Sequence, residues 1–170
     1  MSTPLKDQTV PSSGKLVDIS EKKFAIVVSE WNKQVTELLY AGAYNTLIKH
    51  GAKKTNIIRK NVPGSFELGL GAQWAAKSDD IDAVICLGCI IEGETRHFEF
   101  ICNAVSYGLT KVGLKYNKPV IFGVLTTNNL QQALDRAEGK YGNKEIKHKQ
   151  RSIFPYFLYF PIPLFPSSSL

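Results

Sequence analysis

Short apolar runs alternate with segments of helical spacing along most of this chain. "FAIVV" (24–28) is a continuous apolar run, the pattern of a strand buried on both faces. After "SEWN", Val35, Leu38, Leu39, Ala43 and Leu47 recur at three- and four-residue steps, which predicts a helix. Asn32 is placed to cap it and Gly51 to stop it. "TNIIRKNV" (55–62) predicts a second strand, and "PGSFELGLGAQWAAK" (63–77) a Pro-Gly turn followed by a helix. "IDAVICLGCII" (81–91) is the clearest buried strand. A helix over 97–116 follows from the spacing of Phe98, Ile101, Val105, Leu109 and Val112. "KPVIFGVLTT" (118–127) is a fourth strand, with Pro119 at its start. A last helix over 128–140 has Asn128 or Asn129 as its cap.

This β-α-β-α-β-α-β-α order predicts an α/β fold, a parallel sheet covered by helices on both faces. In such sheets ligands bind beyond the carboxyl ends of the strands. Trp31 and Asn32 follow the first strand, and Ser65, Phe66 and Glu67 the second. Gly93, Glu94, Thr95, Arg96 and His97 follow the third. Trp31 can stack on a flat heterocycle. Glu67 and nearby backbone groups can hold hydroxyls or ring nitrogens. The turn 93–96 opens a helix whose free N–H groups suit a phosphate. A histidine can donate and accept protons near neutral pH.

Each residue also has a plainer reading. His97 alone fits a solvated helix start, Trp31 partial core, and Arg136 a surface charge. Their convergence on one rim favours function, because the plain reading needs a separate reason for each. Cys86, Cys89, His97 and Cys102 could be read as a zinc set. However, Cys86 and Cys89 lie three apart in a strand and point to opposite faces, so small buried residues are the default.

The 170 residues carry a net charge of +6, with lysines spread along the chain, which fits small phosphorylated ligands at least as well as nucleic acid. Residues 1–15 lack the apolar core of a secretory signal and read as a disordered arm. Three cysteines without framework spacing indicate a reducing compartment, the cytoplasm. The segment 145–170 carries prolines at 155, 161, 163 and 166. It therefore reads as an extended or disordered apolar tail rather than a membrane-spanning or soluble helix.

"SEWN", "VPGSFEL", "GCIIEGETRHFEFICNAVSYGL" and "KPVIFGVLTTNNLQQALDRAEGKYGNK" occur in this order and spacing. Over residues 16–144 the chain closely resembles the lumazine synthase (6,7-dimethyl-8-ribityllumazine synthase) family. The resemblance implies a flavodoxin-like three-layer sandwich with a four-stranded parallel sheet. It implies condensation of 5-amino-6-(D-ribitylamino)uracil with 3,4-dihydroxy-2-butanone 4-phosphate, with no cofactor and no metal. By motif, Trp31 would stack on the pyrimidine and Ser65, Phe66 and Glu67 would hold the ribityl chain. Cys89, Ile90 and Ile91 would line the pyrimidine site through backbone groups. Glu94 and Thr95 would meet phosphate through N–H groups, and His97 would be the proton donor. Phe122 and Arg136 would complete the pocket from a neighbouring subunit, Arg136 gripping phosphate.

The resemblance also implies a homo-oligomer, either a pentamer or a sixty-subunit shell of twelve pentamers, with riboflavin synthase as a partner. It implies neither nucleic acid nor membrane as a partner. After Lys144 the family continues "GNKG" into an Ala-rich amphipathic helix, whereas Glu145 and the proline-rich tail stand here. Loss of that helix is expected to expose core surface, with consequences for stability, assembly and activity. The same residues also fit three other readings: a non-catalytic flavin- or pteridine-binding protein, a structural shell subunit, and an inactive chain lacking its last helix.

Overall fold

A computed structural model of the protein describes residues 18–137. The arm 1–15, the tail 145–170 and the end of the last expected helix lie outside the described residues. The strands are β1 (Phe24–Ser29), β2 (Ile57–Val62), β3 (Ala83–Ile91) and β4 (Val120–Thr127). Helices α1 (Lys33–Lys49), α2 (Leu68–Lys77), α3 (His97–Tyr116) and α4 (Leu130–Ala137) alternate with them. All four strands pair in parallel, in the order β2-β1-β3-β4. The sheet and its helices are the three-layer α/β architecture expected from the alternation.

The central strands are apolar because both of their faces are covered. Val84, Cys86 and Ile90 of β3 face one core cluster, which includes Leu68, Ala72, Val105 and Leu109 of α2 and α3. Ala83, Ile85 and Leu87 face the other way, with Ala43 and Leu47 of α1. Near the carboxyl end of β3, Cys89 joins Val35 of α1 and Ala133 and Ala137 of α4. Cys86 and Cys89 thus belong to opposite layers, as their spacing required. Burial pushes both thiols up, that of Cys89 to about 11. Among the described residues, no group of three or more His, Cys, Asp and Glu side chains converges as metal ligands would.

The helix ends show how local chemistry sets the boundaries. Gly51 takes φ +100, and its N–H bonds to Ile48 O while that of Ala52 bonds to Leu47 O, the double bond of a Schellman stop. Asn129 caps α4, its Oδ1 accepting from the Gln132 N–H at 2.9 Å. Two expectations change. The second strand begins at Ile57, because Lys54–Asn56 forms a 3-10 turn closed by Asn56 N–H to Lys53 O at 2.9 Å. Asn32 stands at the position before α1, but its side chain makes no capping bond.

Edge strand β2 is tied to α1 by a two-pronged pair. Arg59 Nη1 and Nη2 donate to the two carboxylate oxygens of Glu37, and the guanidinium lies 4.3 Å from the Tyr40 ring centre. The hydrogen bonds from Arg59 hold the Glu37 carboxyl below its ordinary range. A depressed carboxyl contributes stability above its unfolded value, and the contribution is lost as pH falls through the folded value. Because the pair is partly exposed, Glu37→Gln should cost only about 0.2–1 kcal/mol at neutral pH. Urea unfolding should show that deficit at about pH 7 and its progressive loss as pH falls below the ordinary carboxyl range. A deficit that stays constant with pH would mean that the ion pair is not its source.

Candidate active site

The strand order reverses between β1 and β3, which leaves a crevice at the carboxyl ends of these neighbours. A cavity of about 410 Å³ occupies that crevice. Its lining comes from four pieces of chain. The β1–α1 loop supplies Trp31 and Asn32, and the β2–α2 loop supplies Gly64, Ser65 and Phe66. The end of β3 supplies Cys89, Ile90 and Ile91. The β3–α3 connection and the start of α3 supply Gly93, Thr95, His97, Phe98 and Ile101.

Trp31 is 72% exposed, so its indole forms a wall of the cavity rather than part of the core. The loop beneath it is pinned on the β2 side, where Glu30 N–H bonds to Val62 O at 2.9 Å and Trp31 N–H to Pro63 O at 3.1 Å. Across the crevice, Asn32 Nδ2 donates to Cys89 O at 2.9 Å. The β2–α2 loop is closed by Glu67, whose Oε2 accepts the Gly64 N–H at 2.9 Å. Glu67 is therefore partly engaged in shaping the loop that carries Ser65.

Ser65 is only 6% exposed, and its Oγ has no hydrogen-bond partner among the described residues. A buried hydroxyl without a partner is costly, and this one belongs to a residue of the cavity wall. Gly88 makes room for it: a Cβ there would stand 2.7 Å from Ser65 Oγ and 2.9 Å from Leu68 Cδ1. The Arg96 side chain makes no capping bond at the start of α3, where the Glu99 N–H turns back to Arg96 O at 3.2 Å, and the positive end of the helix dipole lies beside Thr95 and His97. Arg96 sits in the same loop, but its side chain extends into solvent with Nε 3.9 Å from Glu99. Among the described residues, no lysine or arginine lines the cavity.

The remaining predicted site residues lie outside this cavity. Glu94 is exposed in the loop before α3. Phe122 is 38% exposed and lies near the start of edge strand β4, paired with Cys86. Arg136 is exposed on α4, where its Nη1 donates to Gln132 O at 3.2 Å. Asn32, expected both as a cap and at the strand-end rim, lines the cavity, and so do Phe98 and Ile101, which the helical spacing alone marks. The two apolar residues are only partly buried against the core, so one stripe of α3 serves both purposes.

An open α/β sheet with a crevice at its topological switch point, an aromatic wall, an uncapped helix end and a histidine defines a small-molecule enzyme site rather than a nucleic-acid surface. The comparisons narrow this class. The family model of 6,7-dimethyl-8-ribityllumazine synthase matches residues 21–152. The chain is 66% identical over 132 residues to the 6,7-dimethyl-8-ribityllumazine synthase of Cytophaga hutchinsonii, covering 78% of this chain and 83% of that protein. It is 49% identical over 144 residues to that of Parabacteroides distasonis, covering 85% and 90%. It is 52% identical over 122 residues to that of Bacteroides fragilis, covering 72% and 85%. The chain belongs to the 6,7-dimethyl-8-ribityllumazine synthase family, whose members are transferase enzymes.

Ser65→Ala should leave the unliganded protein as stable as the parent or about 1 kcal/mol more stable, because it removes an unpartnered buried hydroxyl. Gly88→Ala should instead destabilise by about 1–3 kcal/mol through overpacking. Combining the two changes should recover part of that loss in chemical denaturation. Full additivity of the two effects would show that Ser65 and Gly88 do not share one packing site.

Proposed function

We propose that this chain condenses 5-amino-6-(D-ribitylamino)uracil with 3,4-dihydroxy-2-butanone 4-phosphate to 6,7-dimethyl-8-ribityllumazine, releasing phosphate and water in riboflavin biosynthesis. The observation that carries this reading is the cavity itself: Trp31, Ser65 and the end of β3 on one side, and the uncapped α3 with His97 on the other. Relatives at up to 66% identity are 6,7-dimethyl-8-ribityllumazine synthases, which supports this reaction.

In this reading Trp31 stacks on the pyrimidine, and Ser65, Phe66 and Glu67 hold the ribityl chain. Backbone groups of Cys89, Ile90 and Ile91 take the polar edge of the ring. Amides at Glu94 and Thr95 receive phosphate, with the Glu94 side chain turned to solvent. His97 carries protons during amine attack on the carbonyl, loss of phosphate and ring closure. Fixing two substrates together can supply about 7–11 kcal/mol of the barrier. Acid–base help typically supplies about 10²–10⁴-fold, or roughly 3–5 kcal/mol. Orientation therefore dominates, and His97 is an accelerator of a reaction that the cavity already favours.

A phosphate dianion needs a cation, and among the described residues no lysine or arginine lines the cavity. A helix end alone typically contributes about 0.3–1 kcal/mol, far less than a forked guanidinium contact. Arg136 and Phe122 supply the missing side from a neighbouring subunit of a homo-oligomer, a pentamer in the simplest case. The exposed apolar stripe Phe100, Tyr107 and Leu114, spaced at seven residues on α3, and Leu70 and Trp74 on α2 support such contacts. The three unpaired cysteines fit a cytoplasmic enzyme.

Steady-state kinetics should show His97→Ala slowed by about 10²-fold, with measurable turnover left. Arg136→Ala should chiefly raise KM for the phosphorylated substrate. Co-assembled His97→Ala and Arg136→Ala chains should regain activity, since some sites then combine an intact His97 with a neighbour's intact Arg136. Lack of any regain in verified mixed oligomers would place both residues on one chain's site. No lumazine from the parent protein would reject the reaction and favour a binding role.

A further inference from the structure

We infer that Asn32 is a positioning residue that holds the Trp31 wall in place through its bond to the Cys89 carbonyl across the crevice. The inference rests on the proposed reading in that Trp31 is the stacking surface for the heterocycle.

Trp31 has little packing to hold it, being 72% exposed. Its place is therefore set by its backbone. Two hydrogen bonds tie residues 30 and 31 to the carbonyls of Val62 and Pro63, at the β2 side of the loop. On the β3 side, among the described residues, the bond from Asn32 Nδ2 to Cys89 O is the tie that closes the bracket. Without it the loop has hydrogen bonds along one margin only, the β3 side being left to the packing of Val35 on Cys89, and the indole gains freedom to swing on that margin.

Asn32 is also unusual for what its side chain leaves undone. It adopts φ 58 and ψ 44, a left-handed conformation that asparagine tolerates better than other side-chain-bearing residues. It occupies the start of α1, where an asparagine ordinarily caps with its side chain, yet here makes no such bond. The Val35 and Thr36 amides are met instead by the Asn32 main-chain carbonyl, at 2.8 and 3.1 Å. The helix does not require the amide group, which is free to reach the cavity wall. The left-handed backbone and the side-chain bond together make a rigid elbow directly after Trp31.

Glycine and aspartate at this position separate the backbone from the bond. Asn32→Gly keeps the left-handed conformation and loses the tether. Asn32→Asp keeps the shape, but its carboxylate cannot donate to the carbonyl. The full chain contains two tryptophans, so a Trp74→Phe background leaves Trp31 as the single indole reporter.

The experiment compares time-resolved fluorescence anisotropy of Trp31 without ligand, the thermal midpoint, and KM for each substrate. Both variants should show a larger amplitude of fast Trp31 motion. KM for the ribitylaminouracil should rise about three- to tenfold, the size of one hydrogen bond, while that for the butanone phosphate stays within twofold. A simple loss of folding would move both KM values and the thermal midpoint together. Unchanged Trp31 anisotropy in both variants would overturn the inference, as would an equal rise of the two KM values. A parent chain without turnover would reject the proposed reaction, and the anisotropy comparison would then decide the positioning role by itself.

Discussion

The reversal of strand order between β1 and β3 is the constraint on which the rest of the molecule depends. The chain leaves β1 for one layer and β3 for the other, so the loops after these neighbouring strands must diverge. Divergence opens a crevice that the core cannot fill. What fills its walls is chemistry: an exposed indole, an unpartnered hydroxyl and a helix that begins without a cap. Gly88 sharpens the arrangement by letting the β2–α2 loop settle directly on β3. A single methyl group there would push into the hydroxyl that borders the cavity.

The site is rich in surfaces that orient and poor in charge. Apolar walls and backbone groups suit a flat heterocycle, but a phosphorylated partner needs more than helix amides. The exposed positions of Phe122 and Arg136, away from the cavity of their own chain, are what a shared site would require. In the proposed enzyme, assembly is thus part of the chemistry. This also gives the exposed apolar residues of α2 and α3 a purpose that a lone subunit lacks.

Much of the fold was legible because its signals are local. β3 is apolar from end to end since it is covered on both faces, and α3 runs over the residues its spacing marked. The start of β2 was misjudged because the 3-10 turn at Lys54–Asn56 is decided by one short backbone bond, which β-propensity does not record. For the site, the rule that ligands gather at strand ends selected Trp31, the loop at Ser65 and the turn before His97. It placed Asn32 on the same rim without its role, and it could not reveal Gly88. Asn32 looked like a cap because the position and residue type fit one, whereas its partner is a carbonyl 57 residues away in the chain. Gly88 looked like any small residue in a strand, and its meaning lies in the side chains pressed against it. Phe122 entered through family motifs alone, and Arg136, which by itself reads as a surface charge, does not reach the rim of its own chain.

The central claim is that loops at the sheet edge form a condensation site that needs a neighbouring subunit. The most direct measurement is lumazine formation, followed by product fluorescence, across fractions of the full chain separated by size. The account predicts that activity tracks the oligomeric fractions and is lost from monomer at the same subunit concentration. Equal activity per subunit in monomer, or oligomers that bind both substrates and form no lumazine, would contradict it.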